Sequence, residues 1–455
     1  MSASVCRCYD AARPPDSGLA WPDASIDPRT SSSKTTSAGS ASRQTGVAAL
    51  AVTMLLFFVM VLGVAFVNRN LVFEQRASAN QYRSTQAFEA AEAGLEWALA
   101  QLNRHQRIGA DCLPVADAAA TSFRSSHLAY DAATVTFTPT TWLDGAAAQP
   151  LRATCVRDGT GWRCSCPASG HPAIAASSTS GVAFSVSFEP TGRPGLVRAT
   201  ALGCSSLGAP CAAGAATPTD ASARIQVLLG LLPALRTAPA AALTVHDGID
   251  ADSAAFGAHN DDAASGGLAI HAGGAVRASQ ARLGGPAGGI APHTVAADDS
   301  ALSALTSGRF FASYFGLDAA AWARQPPVRR FVCSGDCTAA LLARIADDPE
   351  PSLVHVESDL LIAGPAVLGS PDRPVAVVVD GAIRLQGDVA VSGLLYGRDL
   401  TWTGSGSNAG VRGAVVIDGS YQGDATPQFV YDAAVLARLK GAGLFTRVSG
   451  SWRDF

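Results

Sequence analysis

The 455-residue chain is poor in charge, and this argues against binding to nucleic acid. Charged residues make up 15% of the sequence, against roughly 25% in an average soluble domain. The formal net charge is −4, so a polyanion meets no broad electrostatic attraction. Only Lys34 and Lys440 are lysines among the 33 basic residues, which we interpret as a bias of composition. We therefore expect no nucleic-acid partner.

Recurring catalytic signatures are also missing. The acid and base candidates are His246 with Asp247, His355 with Glu357, Asp388 and Asp399. None belongs to a catalytic motif, and histidines in alternating strands are more often packed than reactive. The acidic loop 259–267 leaves a calcium site and a solvated turn both open, and the turn is favoured. We predict no enzyme, no resident metal and no cofactor.

Long apolar runs are absent except for one. Val47 to Val67 holds 21 residues without a charge, which as a helix spans about 31 Å, one bilayer core. A secretory signal has an apolar region of only about 7–15 residues. The run therefore predicts a membrane-spanning helix.

The helical pattern continues beyond this run. Asn68 to Leu102 holds no proline and one glycine, Gly94. Its apolar residues fall at helical spacing, at Phe88, Ala91, Leu95, Ala98, Leu99 and Leu102. We expect one stem over residues 47–104, with its second half packed on a folded domain. Arg69, Arg76 and Arg83 recur every seven residues on one side of it, as a docking stripe for acidic partners or as a solvated face.

The ten cysteines divide unevenly around the apolar run. Cys6 and Cys8 precede it, and eight follow it: Cys112, Cys155, Cys164, Cys166, Cys204, Cys211, Cys333 and Cys337. An even number on one side predicts disulfides, which form in an oxidising compartment. The C-terminal side of the apolar run is therefore expected to lie in that compartment. The simplest pairs are Cys204–Cys211 and Cys333–Cys337. Residues 154–167 predict a disulfide-stapled hairpin, with a four-thiolate metal site as the weaker alternative.

Short alternating runs fill residues 105–236, at 133–139, 151–158, 181–190, 196–204 and 223–233. They predict an antiparallel β subdomain packed on the stem. The predicted fold class is α+β, mainly β.

The C-terminal half contains an internal repeat. Strand pairs recur at 353–364, 375–387, 394–404 and 414–423, and their aspartates Asp359, Asp380, Asp399 and Asp418 are 21, 19 and 19 residues apart. A period of about 20 residues with short strands predicts a β-solenoid over 237–430. Residues 243–248 and 268–274 resemble two earlier repeats. We expect each aspartate to bond its own turn, with a calcium ladder as the alternative.

Two helical segments accompany this repeat. Residues 298–349 predict a helical insertion closed by Cys333–Cys337, which would form a binding surface or a lid over one flank. Residues 431–455 predict a helix that caps the last repeat, followed by a tail.

The N-terminal region resembles PilX-type minor pilins of type IV pili. The resemblance covers residues 43–103 and is carried by "RQTG" at 43–46, by the apolar helix that follows, and by "QAFEAAEAGLEWA" at 86–98. The closing "GSWRDF" at 450–455 carries less weight. The Ser/Thr/Pro-rich segment 1–46 is then a leader or disordered cytoplasmic segment, longer than such a leader needs.

This resemblance implies how the chain is processed and where it goes. A prepilin peptidase would cut after Gly46 and methylate Val47, and the protein would move from a single-pass inner-membrane anchor, C-terminus in the periplasm, into an extracellular pilus. Its partners would be other pilins, minor pilins and the inner-membrane assembly machinery. Major pilins carry a glutamate where this chain has Ala51, so we expect a place at or near the tip, or a low copy number. A surface adhesin that binds a glycan or host surface through the solenoid is the alternative, and a membrane-tethered glycan enzyme is a weaker one.

Overall fold

A computed structural model describes residues 45–159, 161–174, 181–212, 219–252, 254–286, 291–404 and 406–454. The predicted leader up to residue 44, with Cys6 and Cys8, lies outside the described residues. The chain divides into two compact units, with the boundary in sequence after Val72. The expectation of a long N-terminal helix followed by mainly β structure is confirmed.

The helices have the following bounds in chain order. They are α1 (Thr45–Leu102), α2 (Phe123–His127), α3 (Ser300–Ser303), α4 (Ser307–Phe315), α5 (Ala319–Ala323), α6 (Thr338–Ala346) and α7 (Ala433–Gly441). Short 3-10 helices cover Ala263–Ser265 and Ala291–Thr294.

The strands have the following bounds in chain order. The first nine are β1 (Leu128–Asp131), β2 (Thr136–Pro139), β3 (Thr141–Asp144), β4 (Ala147–Pro150), β5 (Arg152–Asp158), β6 (Gly161–Ser165), β7 (Ala183–Pro190), β8 (Leu196–Cys204) and β9 (Ser222–Leu232). The next seven are β10 (Ala241–Val245), β11 (Ile249–Asp250), β12 (Gly257–His259), β13 (Leu268–Ala272), β14 (Val276–Arg277), β15 (Arg282–Gly284) and β16 (Val295–Ala296). After the helical segment come β17 (Val328–Phe331), β18 (Ser352–Val356), β19 (Leu360–Ala363), β20 (Ala366–Leu368), β21 (Val375–Val379), β22 (Ile383–Gln386), β23 (Val389–Gly397), β24 (Leu400–Thr403), β25 (Gly410–Ile417), β26 (Tyr421–Gly423), β27 (Gln428–Tyr431), β28 (Leu444–Arg447) and β29 (Arg453–Asp454).

In the first unit, α1 is exposed along its whole apolar stretch. Every residue from Val47 to Val72 is exposed, and Val47 itself retains 78% of its accessible surface. By length and composition this helix can cross a membrane. A helix that is apolar on all sides needs lipid or other helices around it.

In the second unit, the later part of α1 packs on an antiparallel sheet of order β28-β9-β8-β7-β5-β6, with β29 also paired to β9. The buried face of the helix includes Ala91, Leu95, Ala98 and Leu102, at the spacing expected from the sequence. A Cβ at Gly203 of β8 would lie 1.9 Å from the Ala87 carbonyl oxygen. Only glycine therefore permits the helix to approach the sheet this closely.

The remaining large assembly, which we call the parallel stack, is inserted between two paired strands of that sheet. β9 ends at Leu232, and Leu232 pairs with Leu444 of β28. The chain therefore leaves the antiparallel sheet to form the stack, and it returns to the sheet at the same point.

The parallel stack has three rows of parallel strands in the described part of the chain. The first row runs β16-β13-β10-β25-β23-β21-β18-β17, the second β14-β11-β26-β24-β22-β19, and the third β15-β12-β27-β25-β23-β20. The long strands β23 and β25 serve two rows because each bends at a glycine, Gly393 and Gly413, where a Cβ would meet backbone at 1.8 and 2.0 Å. The apolar residues between the rows form one continuous core.

The spatial order of the repeats differs from their order in the chain. The early strand β10 lies between β13 and β25, so the early repeats stack on the last one rather than before the first. The chain then leaves the stack at β16 and resumes it at β17, the opposite end of the first row.

The helical segment between these ends covers the first row. Phe310, Phe311 and Phe315 of α4 and Trp322 of α5 are buried, and Phe311 packs edge-on against Tyr396 with ring centroids 5.0 Å apart. The first-row strands β10, β18 and β21 are consequently buried on both faces. This packing covers one flank of the stack, as the lid alternative for 298–349 describes, and the binding-surface alternative stays a prediction.

The expected cap at 431–443 needs correction. α7 packs against β23 and β25, which lie inside the rows and not at an end. α6 lies instead at the β17 end, where it packs against β19 and β20 with Leu341 fully buried. The spacing of the strands in the sequence does not indicate which helix covers which end of the parallel stack.

Candidate functional site

The predicted processing and assembly residues lie at the start of α1. Gly46 and Val47 fall in its first turn, and Ala51 is exposed one turn later. Alanine brings no carboxylate to this apolar stretch, so it neither needs nor offers a charged partner there.

The three arginines of the predicted stripe are exposed on α1. Within the second unit, Arg83 lies 3.6 Å from Asp220, and both side chains are about half exposed. Such a surface pair contributes little to stability. The roles of Arg69 and Arg76 stay a prediction.

The eight cysteines on the C-terminal side form four disulfides among the described residues. The pairs are Cys112–Cys166, Cys155–Cys164, Cys204–Cys211 and Cys333–Cys337. Cys155 and Cys164 face each other in the hairpin of β5 and β6. These residues therefore hold covalent bonds in the structure, and the described residues contain no group of three or more side chains arranged as metal ligands.

Two of the four repeated aspartates, Asp359 and Asp399, bond the next repeat and not their own turn, which corrects the sequence-based expectation for them. Asp359 Oδ1 accepts the amide of Ala382, and Asp399 Oδ1 accepts the amide of Ser420, each at 2.9 Å. Each bond therefore links two neighbouring repeats. Nothing in the chain order distinguishes a carboxylate that reaches its own turn from one that reaches the turn stacked upon it.

The histidines considered as acid or base are held in structural contacts. His246 places Nδ1 2.7 Å from Asp247 Oδ1 and Nε2 2.8 Å from the Leu305 carbonyl oxygen. His355 is 5% exposed, and its Nε2 lies 2.9 Å from Asp380 Oδ1. Both rings thus tie the stack together at its lid.

Two other candidates from the sequence also stabilise turns. In the loop 259–267, Asp262 accepts the amides of Ala264 and Ser265 and so caps a short 3-10 helix. Asp388 accepts the amide of Asn408 at 2.8 Å. Neither carboxylate is placed among other potential metal ligands.

Sequence reasoning missed a buried arginine that joins the antiparallel sheet to the parallel stack. Arg124 donates to the carbonyl oxygens of Leu102, Gly441 and Gly443 at 2.8, 2.8 and 2.7 Å. Leu102 ends α1 and Gly441 ends α7, so the guanidinium lies at two helix C-termini. Burial lowers the pKa of Arg124 to about 10, which leaves it charged at neutral pH.

Two histidines buried near this junction predict loss of stability in acid. Burial lowers the pKa of His127 to about 4. Burial, with the charges of Arg124 and Arg329, holds the pKa of His105 well below its usual value. Because the unfolded chain takes up these protons first, the free energy of unfolding falls as pH drops from about 6.5 towards 4.

A His127→Gln variant isolates this effect. The advantage in stability of the native chain over the variant should shrink by about 3 kcal/mol between pH 7 and pH 4, the free energy linked to a pKa shift of about 2.5 units. Asp348, whose pKa burial raises to about 6 despite its ion pair with Arg329, is common to both chains and cancels. Urea unfolding across this range measures the difference, and a gap independent of pH would contradict it.

Comparison with known proteins gives a family match for the N-terminal region. Residues 46–96 match the family described as PilX N-terminal, which confirms the resemblance for that segment. No curated protein matches the chain. Among solved structures, the crystal structure of the competence-associated pilin ComZ from Thermus thermophilus is similar at 13% identity, over 82% of this chain and 97% of that chain, with a TM-score of 0.20. A score this low supports no conclusion about shared architecture.

Proposed function

We propose, on the premise that this chain carries the N-terminal region of a PilX-type pilin, that it is a minor pilin which takes part in the assembly of type IV pili, at or near the tip. Its role is structural: the stem polymerises and the second unit is displayed. Assembly needs no cofactor and no catalysis by this chain.

One observation carries the proposal. α1 is apolar from Val47 to Val67 and fully exposed from Val47 to Val72, whereas from Ala87 onward one face is buried against an antiparallel sheet. The C-terminal part of the helix is thus packed on a folded domain, whereas the apolar surface of its N-terminal part is exposed. Such a stretch is stable in lipid and also among like helices in a dry filament core.

The same view assigns roles to the residues at the start of α1. A prepilin peptidase would cut after Gly46 and leave Val47 as the methylated N-terminus. Ala51 cannot neutralise a neighbour's amino terminus, which supports a terminal or rare subunit. Arg69 and Arg76 would face acidic partners or lipid headgroups while the protein waits in the inner membrane with its C-terminus in the periplasm, and Arg83 of the same stripe lies beside Asp220 of this chain.

The parallel stack supports a second role in display. Its three rows and its strand-to-strand register support a β-solenoid, inserted into the pilin sheet as a passenger. Adhesion to a glycan or host surface through this passenger is the alternative function. It does not compete with assembly, because the two roles use different parts of the chain.

Mass spectrometry of sheared pili tests the assignment. We expect a methylated N-terminal peptide that begins at Val47, recovered with the filaments. An intact leader on a protein that stays in the membrane fraction would overturn it. Loss of pili on deletion favours assembly, and normal pili with poor attachment favour adhesion.

A further inference from the structure

A cleft of about 240 Å³ lies beside the start of α4, where the lid meets the first row. Ser307 and Gly308 form one side, and Asp380, Arg398 and Asp418 line the other. It is smaller than the roughly 300–1,000 Å³ typical of pockets for drug-sized ligands, so it suits one small ring.

The register of the stack brings the three charged residues side by side. Tyr396 pairs with Val378 and with Val416, so the residues two positions on, Arg398, Asp380 and Asp418, lie in one line across three adjacent strands. Neighbouring strands are about 4.8 Å apart, so an arginine separates two carboxylates. The cleft therefore alternates hydrogen-bond acceptors and donors along its floor.

One carboxyl oxygen of this cleft lacks a hydrogen-bond donor among the described residues, while Ser307 donates to the same carboxyl group of Asp418. Asp418 Oδ1 is buried without a hydrogen-bond donor. Burial also raises the pKa of Asp418. Thr306 provides no side-chain cap for the first amides of α4. A buried acceptor left unpaired costs stability, which indicates that the position is kept for another purpose.

Apolar surface accompanies these polar groups. The rings of Phe311 and Tyr396 line the same cleft and pack edge to face. Tyr396 is 7% exposed and Phe311 is 2% exposed. Aromatic surface next to alternating donors and acceptors matches a ring that carries hydroxyl groups.

We propose that this cleft binds a single saccharide residue, with Asp418 and Tyr396 as its hydrogen-bonding groups. A free anion is disfavoured because two carboxylates line the cleft, and a metal ion because Arg398 lies between them. Each sugar hydroxyl both donates and accepts, so it pairs with the carboxylates as well as with the guanidinium. The inference rests on the display role proposed for the passenger and names its ligand class.

The full chain, purified in a detergent without a sugar headgroup, provides the test. Methyl glycosides of glucose, galactose, mannose and N-acetylglucosamine are titrated by calorimetry and by saturation-transfer NMR. We expect Asp418→Asn and Tyr396→Phe each to weaken binding by about tenfold or more, because a partner of a sugar hydroxyl is lost. Asp250→Asn, an exposed carboxylate of β11 in the second row, should bind as the native chain does.

Stability distinguishes this role from a structural one. Asp418→Asn removes the charge of a partly buried carboxyl group whose Oδ1 has no hydrogen-bond donor among the described residues, so its unfolding midpoint should equal or exceed that of the native chain while binding falls. Binding by none of the four glycosides, unchanged binding by Asp418→Asn, or a lower midpoint in that variant would overturn the proposal. The peptide that begins at Val47 is read independently, so failure here leaves the pilin assignment standing.

Discussion

Arg124→Met is expected to lower the free energy of unfolding by at least about 3 kcal/mol, since three buried carbonyl oxygens lose their donor at roughly 1–3 kcal/mol each. The carbonyls belong to Leu102, Gly441 and Gly443. Methionine retains much of the volume, so the loss reports the hydrogen bonds and the charge, not a cavity. The guanidinium also lies 4.9 Å from the ring centroid of Phe445, a contact that methionine only partly replaces.

Two further variants make this result specific. Arg124→Lys keeps the charge but lacks the planar fork, so we expect an intermediate loss. Arg224→Met removes an exposed arginine of β9 and should change stability by less than about 0.5 kcal/mol. Urea unfolding of the disulfide-intact chain measures all three, and an Arg124→Met value as small as the Arg224→Met value would contradict the prediction.

Excision of the parallel stack is expected to leave a folded, assembly-competent subunit. A Cβ on Gly443 would lie 2.6 Å from the Ala234 amide nitrogen, so the two segments already touch where the stack begins and ends. Replacing residues 235–442 by Asn-Gly should therefore close β9 onto β28 with a short hairpin turn. Arg124 would lose Gly441 but become open to water, which can hydrate it.

Sheared pili provide the readout for this deletion. We expect the shortened chain among the filaments, with its N-terminus at Val47 and no saccharide binding. A larger deletion of 222–447 removes β9 as well as β28, which leaves β8 as the outer strand of the sheet, and should abolish folding. Equal loss of both chains from the filaments would show that the stack is needed for assembly.

Local patterns were enough to predict the long N-terminal helix and the mainly β structure that follows it. The stem, the disulfide hairpin and the strand period depend on residues a few positions apart, and each is present. The order of the repeats was not predictable, because Leu243 pairs with Val415, 172 positions later, and similar strands are interchangeable by composition. A regular spacing in the sequence therefore indicates that repeats exist, but not which repeats lie next to each other.

The missed residues share one property. Arg124 contacts carbonyl groups up to 319 positions away, and Asn103 exchanges two hydrogen bonds with the backbone of Phe445, 342 positions away. Every residue type has a backbone carbonyl, so the sequence does not show which carbonyl accepts a hydrogen bond from a distant side chain. The sequence predicts a turn-forming role for Asp418, and its place beside α4 depends on how the lid crosses the first row.

The stacking of β10 on β25 also constrains how the protein is made. While the chain is being synthesised, the strands from residue 241 to 296 lack their neighbours β25, β26 and β27 on one flank until residue 430 has emerged. Folding of the parallel stack is consequently completed late and in one step. A nascent chain halted before that residue should be cut readily by proteases that do not cut the folded protein.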